Sequence, residues 1–395
     1  MPSIRASQGW DIIHKAVHPR RKEARMNTAL WLIGISLLTW GLGEGMFFIF
    51  IPIYLRELGA SSLLIGSILG ISGASMAAAH IFAGYLADRI GARPLLRAAW
   101  VMGLLAAAMM AIARDLSLFV PGLVLYGFTA FVISPLNSYI TAARGKLTPA
   151  RAMTLTSAFY NLGAIAGPPL GGWIGSQLGL RSVYFFSTAI FALSTLLIFF
   201  LRSLPLQNGN AHEAIPLWKN KHYTTILGLA FLLIFFTYLP QPLTPNFLTE
   251  HRGLSLTSLG LLNALNNVGN VVLNLGLGHL NPLFGLFLSQ IAVAFFVLFI
   301  WQGNNMLWYG LGFFLLSGYR VARPLLAAHV RSVVHESQMG LAYGTLETIN
   351  SLPMIIAPPL SGLIYTYRPE WIYLISLFGI LLTLMLSQSL RTREG

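Results

Sequence analysis

The sequence predicts an all-α membrane protein of twelve transmembrane helices, arranged as two pseudo-twofold six-helix bundles. Three observations carry this prediction. The 395 residues are 55% hydrophobic and only 9% charged, with a mean hydropathy of +0.69, whereas a soluble domain carries about 25% charged residues. Apolar runs of roughly 20 residues, enough to cross a bilayer core about 30 Å thick, recur along the whole chain. Short motifs also repeat in the same order in the two halves, at offsets of 189–193 residues.

Taken in order, the predicted spans are 29–54, 62–86, 95–113, 118–142, 154–177, 182–201, 224–248, 256–279, 283–302, 306–328, 339–364 and 371–389. The weakest break is Gly278-His279-Leu280-Asn281-Pro282, which offers a turn but no formal charge; without it the count falls to eleven. Flanking the spans are a basic segment, 1–28, a central loop, 202–223, and a tail, 390–395. The bundles then occupy 29–201 and 224–389. Residues 1–28 lack the apolar stretch and cleavage site of a secretory signal, and Met26 makes residues 1–25 a candidate extension.

The net charge of +13 is unevenly distributed. With the N-terminus inside, eighteen Lys and Arg fall in inner segments and five in outer loops, the remaining two, Arg320 and Arg323, lying within span ten. That bias predicts both termini in the cytoplasm of a multi-pass plasma-membrane protein. The basic residues read as topological anchors rather than as a nucleic-acid stripe. Zero cysteines exclude disulfides, thiolate metal sites and cysteine nucleophiles. No phosphate-cradling Gly-x-x-x-x-Gly-Lys loop, His-Glu-x-x-His pair or Gly-x-Ser-x-Gly elbow is present. No enzymatic activity, cofactor or metal is expected.

The internal repeat pairs Pro52-Ile53-Tyr54-Leu55-Arg56-Glu57 with Pro245-Asn246-Phe247-Leu248-Thr249-Glu250. It pairs Ser134-Pro135-Leu136 with Arg323-Pro324-Leu325, and Gly167-Pro168-Pro169-Leu170-Gly171-Gly172 with Ala357-Pro358-Pro359-Leu360-Ser361-Gly362. Six spans separate the copies, so the halves are parallel repeats about an axis along the membrane normal. Such halves hold substrate near the midplane and rock about it.

After span two stands Gly84-Tyr85-Leu86-Ala87-Asp88-Arg89-Ile90-Gly91-Ala92-Arg93. It resembles the signature loop of the major facilitator superfamily, with Ala92 in place of one basic residue. The resemblance implies the major facilitator fold over about residues 28–390, and a conformational latch at Gly84, Asp88, Arg89, Gly91 and Arg93. The second-half copy, Gly276-Leu277-Gly278-His279-Leu280-Asn281, has lost the acid. Span five carries Gly163, Gly167, Pro168, Gly171 and Gly172 in a pattern similar to the family's antiporter motif, with Thr154 at an earlier glycine position. Read as bare physics, the same residues make a small-residue packing face with a proline kink. The family's exporters usually carry an arginine four residues before a span-four glycine; against Gly127 that position is Leu123.

Ionisable groups inside a membrane are costly, which makes each a functional candidate. Glu44 lies about 14 residues, or ~21 Å, into span one, among Gly41, Gly43 and Gly45, whose small size allows backbone or ligand to approach. Burial disfavours a bare carboxylate there, making Glu44 the first proton-coupling candidate and Glu347 the second. An interior ion pair is expected among Arg320, Arg323 and Glu347, and His80 is read as a packing histidine. Asn263, Asn267, Asn270 and Asn274 form a stripe on span eight, with Asn266 at its edge, facing protein or a wet cavity. Trp40, Tyr126, Asn137, Tyr160, Asn161 and Tyr238 complete the cavity candidates; aromatic faces beside a carboxylate suit a lipophilic cation.

The function expected is secondary active transport by alternating access: proton-coupled efflux of small lipophilic or cationic compounds by a monomer in the lipid bilayer. Uptake of a metabolite or organic anion is the alternative within the class, and a non-transporting membrane sensor on the same scaffold is the alternative outside it.

Overall fold

The computed structural model describes residues 26–202, 220–334 and 339–391; within these, residues 81–90, 150, 332, 339–341 and 389–391 are described by their backbone alone. Every regular element among them is helical. The first half comprises α1 (Thr28–Phe48), α2 (Ile51–Glu57), α3 (Ser62–Ile90), α4 (Ala92–Ile112), α5 (Leu116–Phe128), α6 (Ile133–Ala143), α7 (Pro149–Leu178) and α8 (Leu180–Phe199). The second comprises α9 (Lys221–Tyr238), α10 (Thr244–Glu250), α11 (Leu256–Leu277), α12 (Pro282–Gln302), α13 (Met306–Leu316), α14 (Gly318–Val333), α15 (Met339–Tyr367) and α16 (Trp371–Arg391). Successive pairs α1–α2, α5–α6, α9–α10 and α13–α14 each make one interrupted span, so twelve spans result.

Interruptions fall at spans one, four, seven and ten, and sequence explains three of them. Pro52 follows the break after Phe48, and Pro240, Pro242 and Pro245 surround the break after Tyr238. Pro135 follows the 3-10 stretch Thr129–Val132. Each proline removes an N–H and clashes one turn back. Span ten breaks at Ser317 without a proline nearby on its N-terminal side. Elsewhere boundaries differ from the sequence reading by a few residues, most in span five, which starts at Pro149 because Thr148 caps its N-terminus. The doubtful turn between spans eight and nine is real: α11 ends at Leu277 and Asn281 caps α12.

Among the described residues, eight segments are long and apolar enough to cross a bilayer on that ground alone. The remaining four are spans five, eight, ten and eleven, which carry the prolines, asparagines and ion pair. Some of their polar residues bond to other helices, Asn266 and Asn267 among them.

Two seams join the bundles. In one, α7 runs antiparallel to α11: Gly172 lies against the Leu256 backbone and Gly260 against the Pro168 carbonyl. In the other, α3 runs antiparallel to α15: Gly66 lies against the Pro358 carbonyl and Gly362 against that of Ser62. Pro168 and Pro358 are repeat partners, so the seams are related by the pseudo-twofold axis. No Cβ fits at these glycines without backbone overlap.

Besides the seams, a group of polar contacts ties the bundles together toward one end, called here the closed end. Arg56 Nε donates to Glu250 Oε1 at 2.9 Å, and the Tyr365 hydroxyl donates to Glu250 Oε2 at 2.8 Å. Arg56 also donates to Ser62 Oγ and the Ala60 carbonyl. Asn246 Nδ2 donates to the Pro52 carbonyl at 3.1 Å, tying α10 to α2.

Candidate functional site: an acid and an arginine on facing bundles

Packing of α1 on α7 sets the position of Glu44. Gly163, Gly167 and Gly171 lie against the carbonyls of Leu38, Leu42 and Met46, one helical turn apart on each side. Gly41 and Gly45 return the contact, against Tyr160 and Ala164 backbone, while Gly43 accommodates the Phe191 ring. Of the two approaches these glycines allow, backbone or ligand, the structure shows backbone at Gly41 and Gly45. Close approach of the two helices brings the Tyr160 hydroxyl to Glu44 Oε2, to which it donates at 2.9 Å. Tyr126 and Trp40 turn their polar atoms to the same carboxyl.

Behind Glu44 the aromatic rings are closely packed. Trp40 stacks on Phe191 at 4.5 Å and contacts Trp100 at 5.0 Å; Phe47 meets Tyr126 edge-on at 5.3 Å. Gly103 leaves the space that the Trp40 ring fills. Trp40 and Tyr126 thus form the wall of the site rather than open cavity surface, and Tyr126 is buried.

Across from Glu44, α11 and α14 contribute Asn267 and Arg320. Asn267 Nδ2 donates to the Ala164 carbonyl at 2.6 Å, across the seam. That carbonyl has no helical partner because the residue one turn on is Pro168. Asn267 Oδ1 in turn accepts from Arg320 Nη1 at 3.4 Å. Arg320 is exposed and lies within electrostatic range of Glu44, Tyr160 and Tyr238. The Tyr238 and Tyr319 rings pack at 6.0 Å beside it. Spans one, four, five, seven, eight and ten all reach this cluster, and four of these are the interrupted ones.

Several expectations are corrected. Arg320 stands apart from the expected ion pair: Arg323 Nη2 meets Glu347 Oε2 at 2.8 Å by itself, with the Glu347 side chain 55% exposed, so the pair is not interior. His80 is exposed and faces Arg323 and Glu347 instead of packing inside its bundle. The asparagine stripe does not act as one surface. Asn266, expected at its edge, is fully buried and donates to the Phe313 carbonyl and Ser317 Oγ, fastening α11 to the break in span ten. Asn274 is exposed and bonds Asn270 one turn back. Asn263 is half-buried. Asn137 is exposed, and Asn161 is half-buried and donates to the Ser157 carbonyl of its own helix; the structure does not bring them to Glu44. Tyr319 was missed, although it stands 193 residues after Tyr126, within the range of the repeat offsets.

In the latch loop, Gly91 takes φ +84, a conformation that favours glycine, and Arg93 is half-buried in the first turn of α4. Gly84, Asp88 and Arg89 belong to the last turns of α3, but their side chains lie outside the described residues. Among the described residues no cluster of His, Asp and Glu is fit to hold a metal ion.

Twelve spans in two seamed bundles, with polar groups gathered between them, are the architecture of an integral membrane transporter. The Major Facilitator Superfamily profile matches residues 33–280 and 226–394. The chain belongs to the major facilitator superfamily, whose members are transporters and not enzymes. It is similar to "Multidrug resistance protein 2" of Bacillus subtilis (strain 168), 22% identical over 374 residues, covering 90% of this chain and 93% of that protein. "Quinolone resistance protein NorA" of Staphylococcus aureus (strain COL) is 23% identical over 391 residues, covering 92% and 97%. Among solved structures, the nucleoside transporter NupG superposes with a TM-score of 0.77 at 13% identity, covering 93% of this chain and 99% of that one. A bacterial homolog of the human lysosomal transporter Spinster, inward-facing and occupied, gives 0.71 at 13%, covering 92% and 96%. At such identities these structures speak for the fold alone.

Proposed function

We propose that this protein is a proton-coupled exporter of small lipophilic compounds bearing a basic group, working as a monomer in the plasma membrane with both termini cytoplasmic. The closed end then faces outward and the structure is an inward-facing state. The observation that carries the reading is Glu44, held by Tyr160 at the packed junction of α1 and α7. An uncompensated carboxylate at that depth is costly, so the group holds either a proton or a cation. Facing inward, Glu44 releases its proton and takes the substrate's basic group. Facing outward, a proton replaces that group, and the reset carries the proton in. Asp88 and Arg89, as the family resemblance implies, hold the cytoplasmic end of the opposite state. Two relatives named for multidrug and quinolone resistance support export over uptake.

The test is flux in proteoliposomes against an imposed pH gradient, with the lipophilic cation tetraphenylphosphonium as probe. Glu44→Gln is expected to abolish gradient-driven flux while preserving a folded, monodisperse protein, because the amide mimics the protonated acid. Unchanged gradient-dependent flux in the variant would make Glu44 structural and turn attention to Glu347. Binding without any flux in the parent would favour the sensor reading.

A further inference from the structure

We propose that the central site takes an amphoteric substrate, one joining a basic group and an acidic group on an aromatic body, with Glu44 receiving the first and Arg320 the second. This rests on the reading of the central cluster as the transport site and deepens it. The two charges stand on different bundles, Glu44 on α1 and Arg320 on α14, within electrostatic range of each other. They are not paired: among the described residues the ion pairs are Arg56–Glu250 and Arg323–Glu347.

The contrast between the two span-ten arginines is the informative point. Arg323 is neutralised by Glu347 at 2.8 Å, whereas Arg320 has, among the described residues, the neutral Asn267 oxygen at 3.4 Å. Arg320 is exposed and keeps most of its donors open, and an arginine's planar fork suits a carboxylate or similar oxyanion. Glu44, by contrast, is held by tyrosine and indole donors on its own bundle. A purely cationic ligand at Glu44 feels the field of Arg320 as repulsion. A purely anionic ligand at Arg320 meets the same difficulty from an ionised Glu44. A ligand with both groups neutralises each charge and leaves the site with no net charge to carry through a low-dielectric barrier. Tyr160 beside Glu44, and the Tyr238–Tyr319 ring pair on the bundle of Arg320, supply flat surface for an aromatic body. Such a ligand also joins the two bundles, which is what an occluded intermediate requires.

The experiment uses three probes built on one scaffold: 4-(aminomethyl)benzoic acid, its methyl ester, and its N-acetyl derivative. They are amphoteric, cationic and anionic respectively. Binding of each to the purified full-length protein is measured by isothermal titration, and flux in proteoliposomes. The parent is expected to bind the amphoteric probe at least tenfold more tightly than either singly charged one. Arg320→Gln is expected to abolish that preference, weakening the amphoteric and anionic probes about tenfold while the ester binds as well or better. Arg320→Lys, which keeps the charge and guards against a folding artefact, should restore the amphoteric preference to within about threefold. Equal binding of all three probes by the parent, or an equal loss for all three in Arg320→Gln, overturns the proposal. Saturable, gradient-driven transport of the ester alone, unaffected by Arg320→Gln, overturns it while leaving the exporter reading in place. Absence of saturable binding by every probe, in a parent that still exports tetraphenylphosphonium, overturns the amphoteric assignment alone; absence of flux for that cation as well removes both.

Discussion

At the residue scale, the Asn267 amide replaces a hydrogen bond that the chain gives up at Pro168, and it does so from the opposite bundle. The carbonyl of Ala164 would otherwise face a low-dielectric seam with no donor. Polar bonds between membrane helices average about 0.6 kcal/mol and reach about 1.7 kcal/mol. Asn267→Leu is therefore expected to lower stability of the detergent-solubilised protein by an amount in that range, read as a fall in melting temperature. It should also free Arg320 from that neutral partner. Asn270→Leu, whose side chain bonds Asn274 on its own helix, should cost less. Equal effects of the two substitutions would show that the cross-seam bond adds nothing. Glu44 was legible in the sequence as an acid far from either end of its span. Its partner was visible only as one of several aromatic candidates, because pairing Glu44 with Tyr160 depends on how α1 meets α7. The error over Arg320 has a similar cause: depth along a helix says nothing of the neighbour a side chain meets. The roughly 60° around the axis between residues three apart is enough to send two long side chains of α14 to different partners.

At the element scale, α1 and α7 behave as one unit because glycines on each meet main-chain atoms of the other. Small residues at such spacing allow close packing in membranes, where no hydrophobic force draws helices together. Substitution at Gly167 puts a side chain into the Leu42 carbonyl and the Gly45 backbone, neither of which can rotate away. Overpacking costs typically 1–3 kcal/mol where side chains yield, and here backbone must yield. Gly167→Leu is expected to lose at least that much stability and to disrupt the Glu44–Tyr160 contact, measured as a lowered melting temperature together with lost pH-gradient flux. Gly228, inside α9, where a Cβ meets nothing within 4 Å, is the control: Gly228→Ala should leave flux unchanged and the melting temperature no lower. The motif in span five was legible as a small-residue face with a proline. Its division into three glycines for α1 and one, Gly172, for α11 was not, since a linear motif does not say which neighbour each face meets.

For the whole molecule, twelve spans and their two-fold relation follow from hydropathy and from the repeat. The repeat was the stronger guide, because four spans fall short on apolarity alone. The same four carry seam or site residues, and their polar positions weaken the hydropathy signal for the reason that makes them important. The closed end held by Arg56, Glu250 and Tyr365 was not foreseen as a contact, although Arg56 and Glu250 stand in the matched pair of repeat segments. Their side chains are 34% and 32% exposed, so the pair is worth about 0–1 kcal/mol. Arg56→Gln is expected to shift the population toward opening at this end by no more than about fivefold, the factor that 1 kcal/mol commands. Accessibility of a cysteine introduced at Ala60, which is buried at the closed end, labelled with a membrane-impermeant maleimide, reads the shift; a population unchanged by both Arg56→Gln and Glu250→Gln would leave closure to the seams alone.

Because this pair touches solvent, ions in the medium act on it as a mutation would. The Debye length falls from about 10 Å at 0.1 M to about 3 Å at 1 M, weakening the attraction that favours closure, while the glycine seams, being uncharged, are indifferent to it. The salinity of the compartment at the closed end thus enters the conformational balance directly. With the closed end outward, as proposed above, a cell moving between dilute and briny surroundings would retune the resting state of this transporter with no ligand, no modification and no new protein.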